Sequence, residues 1–181
     1  MTTSSGAADP GGPTDGQLDL ALDMLIWRYE QARHGARDAR TLAACRLVAQ
    51  YCLVLKRYPL AREYLEIALP LADELLGDDH PETVEIVGDL GHALLDLDEL
   101  ELAARYLRRQ LAVLERGEPG EATLMPRNSL ALALADLGET VEARRLLAVN
   151  LELGARLLGP GHRHTQTARA NLASLDEGEQ S

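Results

Sequence analysis

The chain contains no phenylalanine, a single tryptophan and one lysine against seventeen arginines. It lacks any run close to the ~20 apolar residues that a membrane-spanning helix requires, and its N-terminus lacks the apolar core of a signal peptide. No basic run with interleaved aromatic residues occurs and the formal net charge is −11, which disfavours a nucleic-acid partner. We therefore expect a cytoplasmic protein with no membrane or nucleic-acid partner. The arginine bias is typical of a GC-rich bacterial genome.

Sequence signatures of catalysis and cofactor binding are also missing. The chain has no Gly-rich phosphate loop, zinc-ligand cysteine spacing or nucleophile-elbow motif. Cys45 and Cys52 are seven residues apart, or ~10.5 Å along a helix, which is too far for an intrahelical disulfide. We expect buried reduced thiols rather than a redox or metal-binding pair. His162-Arg163-His164 lacks a sequence-local third ligand, so we predict no metal, no cofactor and no enzymatic activity.

What the sequence does contain is a repeat of 40 to 42 residues, marked by Thr41, Thr83, Thr123 and Thr165. Seven residues after each mark comes a leucine or, once, a valine, and the next residue is always alanine or glycine. These pairs are Val48-Ala49, Leu90-Gly91, Leu130-Ala131 and Leu172-Ala173. A glycine precedes every mark by six residues, and alanine follows the first three marks by twenty, as Ala61, Ala103 and Ala143. So many matches in one register indicate a stacked repeat array.

Each unit has the pattern of two helices. In the second unit, Thr83, Val87, Leu90, Leu94 and Leu97 recur at steps of three and four, which places them on one helix face. The repeated small residues suit points where two helices approach closely, and such a pair must stack on its neighbours to complete its core. The sequence predicts eight helices, at about 17–34, 38–56, 59–76, 81–97, 99–116, 121–137, 139–158 and 163–176.

Two segments carry the most specific version of this pattern. The first is LGDDHPET at 76–83 with the following framework of Leu90-Gly91, Leu94 and Ala103, and the second is LGPGHRHTQTARANLASL at 158–175. They resemble the tetratricopeptide repeat, in the long variety found in kinesin light chains and many bacterial proteins. The resemblance covers residues 35–175 and, more weakly, 17–34. It implies an all-α, right-handed α-solenoid of stacked antiparallel helix pairs, but no particular reaction.

These patterns predict a single domain with a tail at each end. Residues 1–16 are rich in Gly, Pro, Ser and Thr and have little to bury, so we expect a disordered tail. The predicted order is a capping helix at 17–34, repeats at 38–76, 81–116 and 121–158, a terminal helix at 163–176 and an acidic tail at 177–181.

The junction before the third unit is shorter than the others. Leu111 to Gly117 spans six residues, whereas Leu69 to Gly77 spans eight. We expect the missing residues to come from the end of the preceding helix and the twist between units to differ slightly at this junction. The loop histidines His80 and His162 are expected to make structural hydrogen bonds at helix entrances.

The resemblance also implies where a partner would bind. In tetratricopeptide repeats the first helix of each pair lines the concave surface, and extended peptides or helices bind there. Transferred onto this register, the partner-binding residues are Arg46, Gln50, Leu53, Glu85, His92, Leu95, Met125, Asn128, Leu132 and Asp136. We expect a protein or peptide partner with apolar anchors and some basic character.

Two other interpretations remain open at this point. The inner face could be an ordinary surface that binds nothing. The chain could instead be a self-associating structural or regulatory accessory subunit, whose unpaired terminal helices pair between chains. From the small and polar outer side of the last helix we expect a monomer or a weak homodimer.

Overall fold

The computed structural model describes residues 15–32 and 37–178, and these residues form eight α-helices and one short 3₁₀ helix. The α-helices are α1 (Asp15–Ala32), α2 (Ala39–Val54), α3 (Tyr58–Leu75), α4 (Pro81–Asp96), α5 (Leu100–Leu114), α6 (Leu124–Asp136), α7 (Thr140–Leu158) and α8 (Arg163–Gly178). The predicted all-α repeat solenoid is therefore confirmed. The two predicted tails lie mostly outside the described residues; residues 15, 16, 177 and 178 are described and are helical.

Each helix packs against the next one along the chain. We call α2–α3, α4–α5 and α6–α7 units one, two and three, and we call α2, α4, α6 and α8 the first helices. The apolar positions of the repeat lie in the core, where Val48, Leu90 and Leu130 are at most 2% exposed. The hydrophobic stripe of each helix is thus covered by its own partner and by the neighbouring unit.

The repeated small residues lie where helices approach closely, as the sequence predicted. Ala61, Ala103 and Ala143 are fully buried. In unit two a Cβ atom added to Gly91 would lie 2.8 Å from Cγ of Leu107 on the second helix. Because this gap is shorter than a normal carbon–carbon contact, a larger residue there would push α4 and α5 apart.

The turn inside each unit adopts the same left-handed backbone conformation. The equivalent residues Lys56, Asp98 and Gly138 have φ angles of 55°, 61° and 81°. Gly138 adopts this conformation without steric cost. A side chain makes it ~1–2 kcal/mol less favourable, so the packing of the two helices imposes it on Lys56 and Asp98.

The loop histidines have the predicted structural role. His80 is the N-cap of α4, and its Nδ1 atom accepts a hydrogen bond from the backbone N–H of Glu82 at 3.3 Å. His162 does the same for the backbone N–H of His164, also at 3.3 Å. Both side chains therefore satisfy backbone donors at the start of a first helix.

The short junction before unit three shortens α5, as predicted, because this helix already ends at Leu114. The predicted start of the next helix at residue 121 was wrong, since Glu121–Thr123 is a 3₁₀ turn and α6 begins at Leu124. The carbonyl of Gly120 accepts hydrogen bonds from the backbone N–H and the hydroxyl of Thr123, at 3.0 and 2.7 Å. These bonds close a tight turn in place of the first α-helical turn.

A buried arginine lies at this junction, and the sequence interpretation missed it. The Arg127 side chain is 2% exposed and donates to the carboxylate of Glu115 and, at 3.4 Å, to Oδ1 of Asn150. At the same register position unit two has Val87, a core residue. A buried charge needs a partner. Glu115, which follows the shortened C-terminal end of α5, provides the carboxylate that Arg127 requires.

The first helices form one row and the second helices form another, and the spacing between successive helices differs between the two rows. Successive first helices contact each other directly, α2 with α4, α4 with α6 and α6 with α8. The second helices are bridged by long arginine side chains, as where Arg108 of α5 reaches Glu142 of α7 at 3.4 Å. An array whose rows differ in spacing curves toward the closer row, so the first helices lie on the inner face.

Candidate functional site

All ten predicted partner-binding residues lie on first helices, and we call their common surface the inner face. Gln50, Glu85, Met125 and Asp136 are exposed, and the other six are partly buried. The structure therefore brings the predicted residues together on one side of the array. Their availability to a partner differs, because several are already engaged within the chain.

Arg46 is held by two carboxylates of the next unit. Its guanidinium lies 2.8 Å from Oε1 of Glu82 and 2.6 Å from Oε2 of Glu85. This contact joins α2 to α4 across the inner face. The sequence analysis placed Arg46 among the partner-binding residues, but both of its terminal nitrogens already have acceptors.

His92 is occupied in a similar way. Its Nε2 atom lies 2.9 Å from Oγ of Ser129 on α6. Burial lowers the pKa of His92, although hydrogen bonding to the Gly88 backbone and the charge of Asp96 oppose this shift. A histidine with a lowered pKa is neutral near pH 7, so it links two first helices and adds no positive charge.

Asn128 completes the series of contacts between first helices. Its Oδ1 atom accepts a hydrogen bond from Nδ2 of Asn171 on α8 at 2.9 Å. Of the predicted apolar residues, Leu53 and Leu95 pack partly against the core, and Met125 is 55% exposed. Met125 is therefore the most accessible of the predicted apolar residues.

A cleft of about 300 Å³ opens on the inner face, with α4 between α2 and α6. We call it the acceptor cleft, and it is lined by Gln50, Glu85, Gly88, Asp89, His92, Gln110 and Met125. Four of these residues were predicted partner-binding residues, whereas Asp89 and Gln110 were not. The cleft is concave and contains several polar groups of the kind that orient a ligand in a binding site.

Asp89 has a partly buried side-chain carboxyl group whose pKa is above its ordinary value. Burial and, secondly, the charge of Glu85 raise its pKa to about 6, although Arg46 opposes the shift. No hydrogen bond to the Asp89 side chain occurs among the described residues. The carboxylate therefore faces the cleft without the donors that normally stabilise its charge.

Gln110 reaches the cleft from the second helix of unit two. A Cβ atom added to Gly88 would lie 2.0 Å from Nε2 of Gln110, so the amide lies directly over the glycine. Oε1 of Gln110 is buried and accepts no hydrogen bond from any part of the chain that the structure describes. The repeat register could have pointed to Gln110, because it is a polar residue at a position where unit one has the apolar Ala68.

Other candidate sites do not gain support. Cys45 and Cys52 are buried and form no disulfide, and burial raises the pKa of Cys52 to about 11, which makes that thiol a poor nucleophile. Within residues 15–32 and 37–178, no three side chains of His, Cys, Asp or Glu are grouped closely enough to hold a metal ion. No helix among the described residues has the length and apolar character needed to cross a membrane.

Family comparisons agree with the repeat pattern. Two family models described as tetratricopeptide repeat match the chain, one over residues 38–116 and the other over residues 123–164. Together these ranges cover more than half of the 181 residues. Among curated proteins, none has a sequence that matches the chain significantly.

Solved structures with the same fold include three proteins of low sequence identity. A kinesin light chain-like protein of Podosopora anserina, with nearly identical TPR-like repeats, has a TM-score of 0.77 at 19% identity, covering 92% of this chain and 80% of its own. BtubC (BKLC) from P. vanneervenii has a TM-score of 0.75 at 17% identity, with coverages of 92% and 68%. The apo form of RapI has a TM-score of 0.76 at 16% identity, with coverages of 91% and 58%. At these identities the likeness shows the fold alone.

Proposed function

Because the chain belongs to the tetratricopeptide repeat family, we propose that it is an adaptor of a bacterial cytoplasmic system that binds a protein or peptide partner through its inner face. The protein is a helical repeat scaffold of the protein-interaction type, and we propose that it has no catalytic role. The binding residues of this proposal are the exposed ones of the predicted set, with the acceptor cleft at their centre.

One observation supports the inner face over the outer face. The acceptor cleft contains polar groups, Asp89 and Oε1 of Gln110, that have no hydrogen-bond partner within the described residues. On the outer face, in contrast, Arg108 is paired with both Glu139 and Glu142. Unpaired groups in a concave site are the ones that a ligand can satisfy.

The first experiment locates the partner by photocrosslinking. A photoreactive amino acid replaces Met125 on the inner face or, as a matched control, Val141 on α7, which is 83% exposed. Irradiated cells should yield a crosslinked partner from position 125 and none from position 141. Crosslinking from position 141 with none from position 125 would contradict the proposal.

The second experiment measures affinity with the purified partner. The double change Gln50→Ala with Met125→Ala should weaken binding at least tenfold, which is about 1.4 kcal/mol, because both side chains line the cleft. The melting temperature should not change, since both residues are exposed. The outer pair Glu101→Ala with Arg145→Ala, also exposed, should leave the affinity unchanged. The reverse order of effects would assign binding to the outer face.

A second candidate function is self-association through α1. One side of this helix exposes Leu20, Met24 and Trp27, at 62%, 59% and 63%. Apolar side chains at i, i+4 and i+7 form a continuous helical stripe, and such exposed stripes often bind other chains. Light scattering over a range of concentrations tests this function, with Leu20→Gln as the variant. A mass that stays monomeric in the unmodified chain would remove this candidate.

A further inference from the structure

We propose that the acceptor cleft is a specificity pocket for one arginine side chain of the bound partner. This inference rests on the proposed binding role of the inner face and adds the chemistry of the group that is recognised. Its support comes from the cleft's size, its unpaired acceptors and its shortage of available cations.

The size and shape of the cleft suit a long side chain. Its volume is about 300 Å³, and Gln50 on α2 and Met125 on α6 lie on either side of α4. The exposed thioether arm of Met125 offers apolar contact to the methylene groups of an incoming arginine, which pack along such surfaces while the charged end goes deeper. Gly88 contributes no side chain, and the Gln110 amide occupies the space directly over it.

The acceptors in the cleft lack donors from the part of the chain that the structure describes. Oε1 of Gln110 is buried with no hydrogen bond, and a buried acceptor without a donor is unfavourable. The Asp89 carboxylate likewise accepts no hydrogen bond from the described residues. An entering group can donate to the Asp89 carboxylate and, once the Gln110 amide turns toward the cleft, to its Oε1 atom, which would remove both unfavourable features.

The charge of the cleft favours a cation. Glu85 and Asp89 both line it, and the nearby Arg46 directs its two terminal nitrogens to Glu82 and Glu85. Arg46 therefore only partly offsets the charge of Asp89. A carboxylate and an amide oxygen on different helices present separate acceptors, which match a planar guanidinium with several fixed donors better than a compact ammonium group.

The test titrates the isotope-labelled full chain with small probes and follows backbone and side-chain amide signals by NMR at pH 7.5. N-acetyl-arginine amide should produce saturable shifts at Gly88, at Asp89 and in the Gln110 side chain. N-acetyl-citrulline amide, the neutral isostere, should bind about tenfold more weakly or not at all. N-acetyl-lysine amide separates guanidinium recognition from attraction of any cation, and equal binding of lysine would overturn the arginine assignment.

Two variants and a control locate the effect in the cleft. Asp89→Asn should weaken arginine binding about tenfold, and Gln110→Met, which removes the acceptor at similar size, should weaken it as well. Glu101→Gln removes an exposed carboxylate of α5 outside the inner face, and it should leave binding unchanged. An equal loss with Glu101→Gln would show general charge attraction and would overturn the proposal.

Failure of the arginine pocket can be distinguished from failure of the proposed adaptor function. If the probes give no saturable shifts while Gln50→Ala with Met125→Ala still weakens the partner, the adaptor function stands and the arginine pocket is wrong. If the probes bind in the cleft while the partner crosslinks only from position 141, the pocket exists and the inner-face adaptor function is wrong.

Discussion

Units two and three share one repeat register but differ in how a buried polar residue is hydrogen-bonded. In unit three Asn150 is satisfied within the chain, since it donates to the carbonyl of Leu124 at 2.9 Å and accepts from Arg127. In unit two the equivalent residue, Gln110, keeps a buried oxygen without a donor. The repeat scaffold thus accommodates a polar residue at this position in two ways. Only Gln110, which has no hydrogen-bond partner among the described residues, leaves a polar group that a ligand can bind.

The largest effect should come from breaking the buried pair of unit three. Glu115→Ala removes the carboxylate bound by Arg127, whose side chain is 2% exposed. A buried charge that loses its partner costs ~3–5 kcal/mol, and because Glu115 is partly exposed we expect a loss near ~3 kcal/mol of unfolding free energy. Urea denaturation measures the loss.

Glu118→Ala is the control for this change, because Glu118 is exposed in the same loop. It should alter stability by less than ~0.5 kcal/mol. Arg127→Val, which installs the residue type of unit two, should cost less than Glu115→Ala, since it removes the charge itself. If Glu115→Ala is neutral, the pair does not stabilise unit three.

A second change tests the packing that both units share. Ala103→Leu places a large side chain at a fully buried close-approach point, and overpacking of this kind costs ~1–3 kcal/mol. Ala112→Leu on the same helix is exposed and should be nearly neutral. Equal stability of both variants in urea would remove Ala103 from the contact between the helices.

The third test uses pH to examine Asp89 in unit two, where unit three has Ser129. The pKa of Asp89 is raised to about 6 in the folded chain, above its ordinary value near ~3.9 in an unfolded chain. The folded state therefore binds more protons between about pH 4 and pH 6, and this group's contribution to stability falls as the pH rises through that range.

Above pH 6 the ionised Asp89 is fully destabilising, so Asp89→Asn should be more stable than the unmodified chain at pH 7.5. We expect a gain of ~1–2 kcal/mol after allowing for the partial exposure of the side chain. The gain should disappear near pH 4, where the carboxyl is protonated in both states. Urea denaturation across this range checks the trend, and a gain that persists at pH 4 would point to a cause other than charge.

The smallest effect should come from the turns, where unit two has Asp98 and unit three has Gly138. Asp98 holds a φ angle of 61°, so Asp98→Gly should relieve strain and raise stability by ~0.5–1 kcal/mol, net of the added flexibility of the unfolded chain. Gly138→Asp should lower stability by a similar amount. Thermal unfolding of both variants measures the pair, and shifts in the same direction would contradict the shared turn geometry.

The register of the sequence was enough to predict the helices, and the family resemblance added the face on which the candidate residues lie. Repeated leucines and alanines specify the same packing in every unit, so Ala103 and Gly91 could be assigned to close contacts without coordinates. The left-handed turn was predictable at Gly138 because glycine favours it, but not at Lys56 or Asp98, where tertiary packing imposes it. The start of α6 was missed because hydrogen bonds to Gly120 favour a 3₁₀ turn over the first helical turn.

Periodicity by itself predicted the repeat array and the all-α fold, because these depend on which residues are apolar at fixed spacing, and the resemblance to the tetratricopeptide repeat added the inner face. Tertiary structure alone decided which polar side chains are available for binding. Arg46 and His92 looked like available donors, but they are bound to Glu82, Glu85 and Ser129 across unit boundaries. Hydrogen bonds between side chains more than thirty residues apart depend on how closely neighbouring helices stack, and a distance of a few ångströms between helices is not encoded in any local pattern.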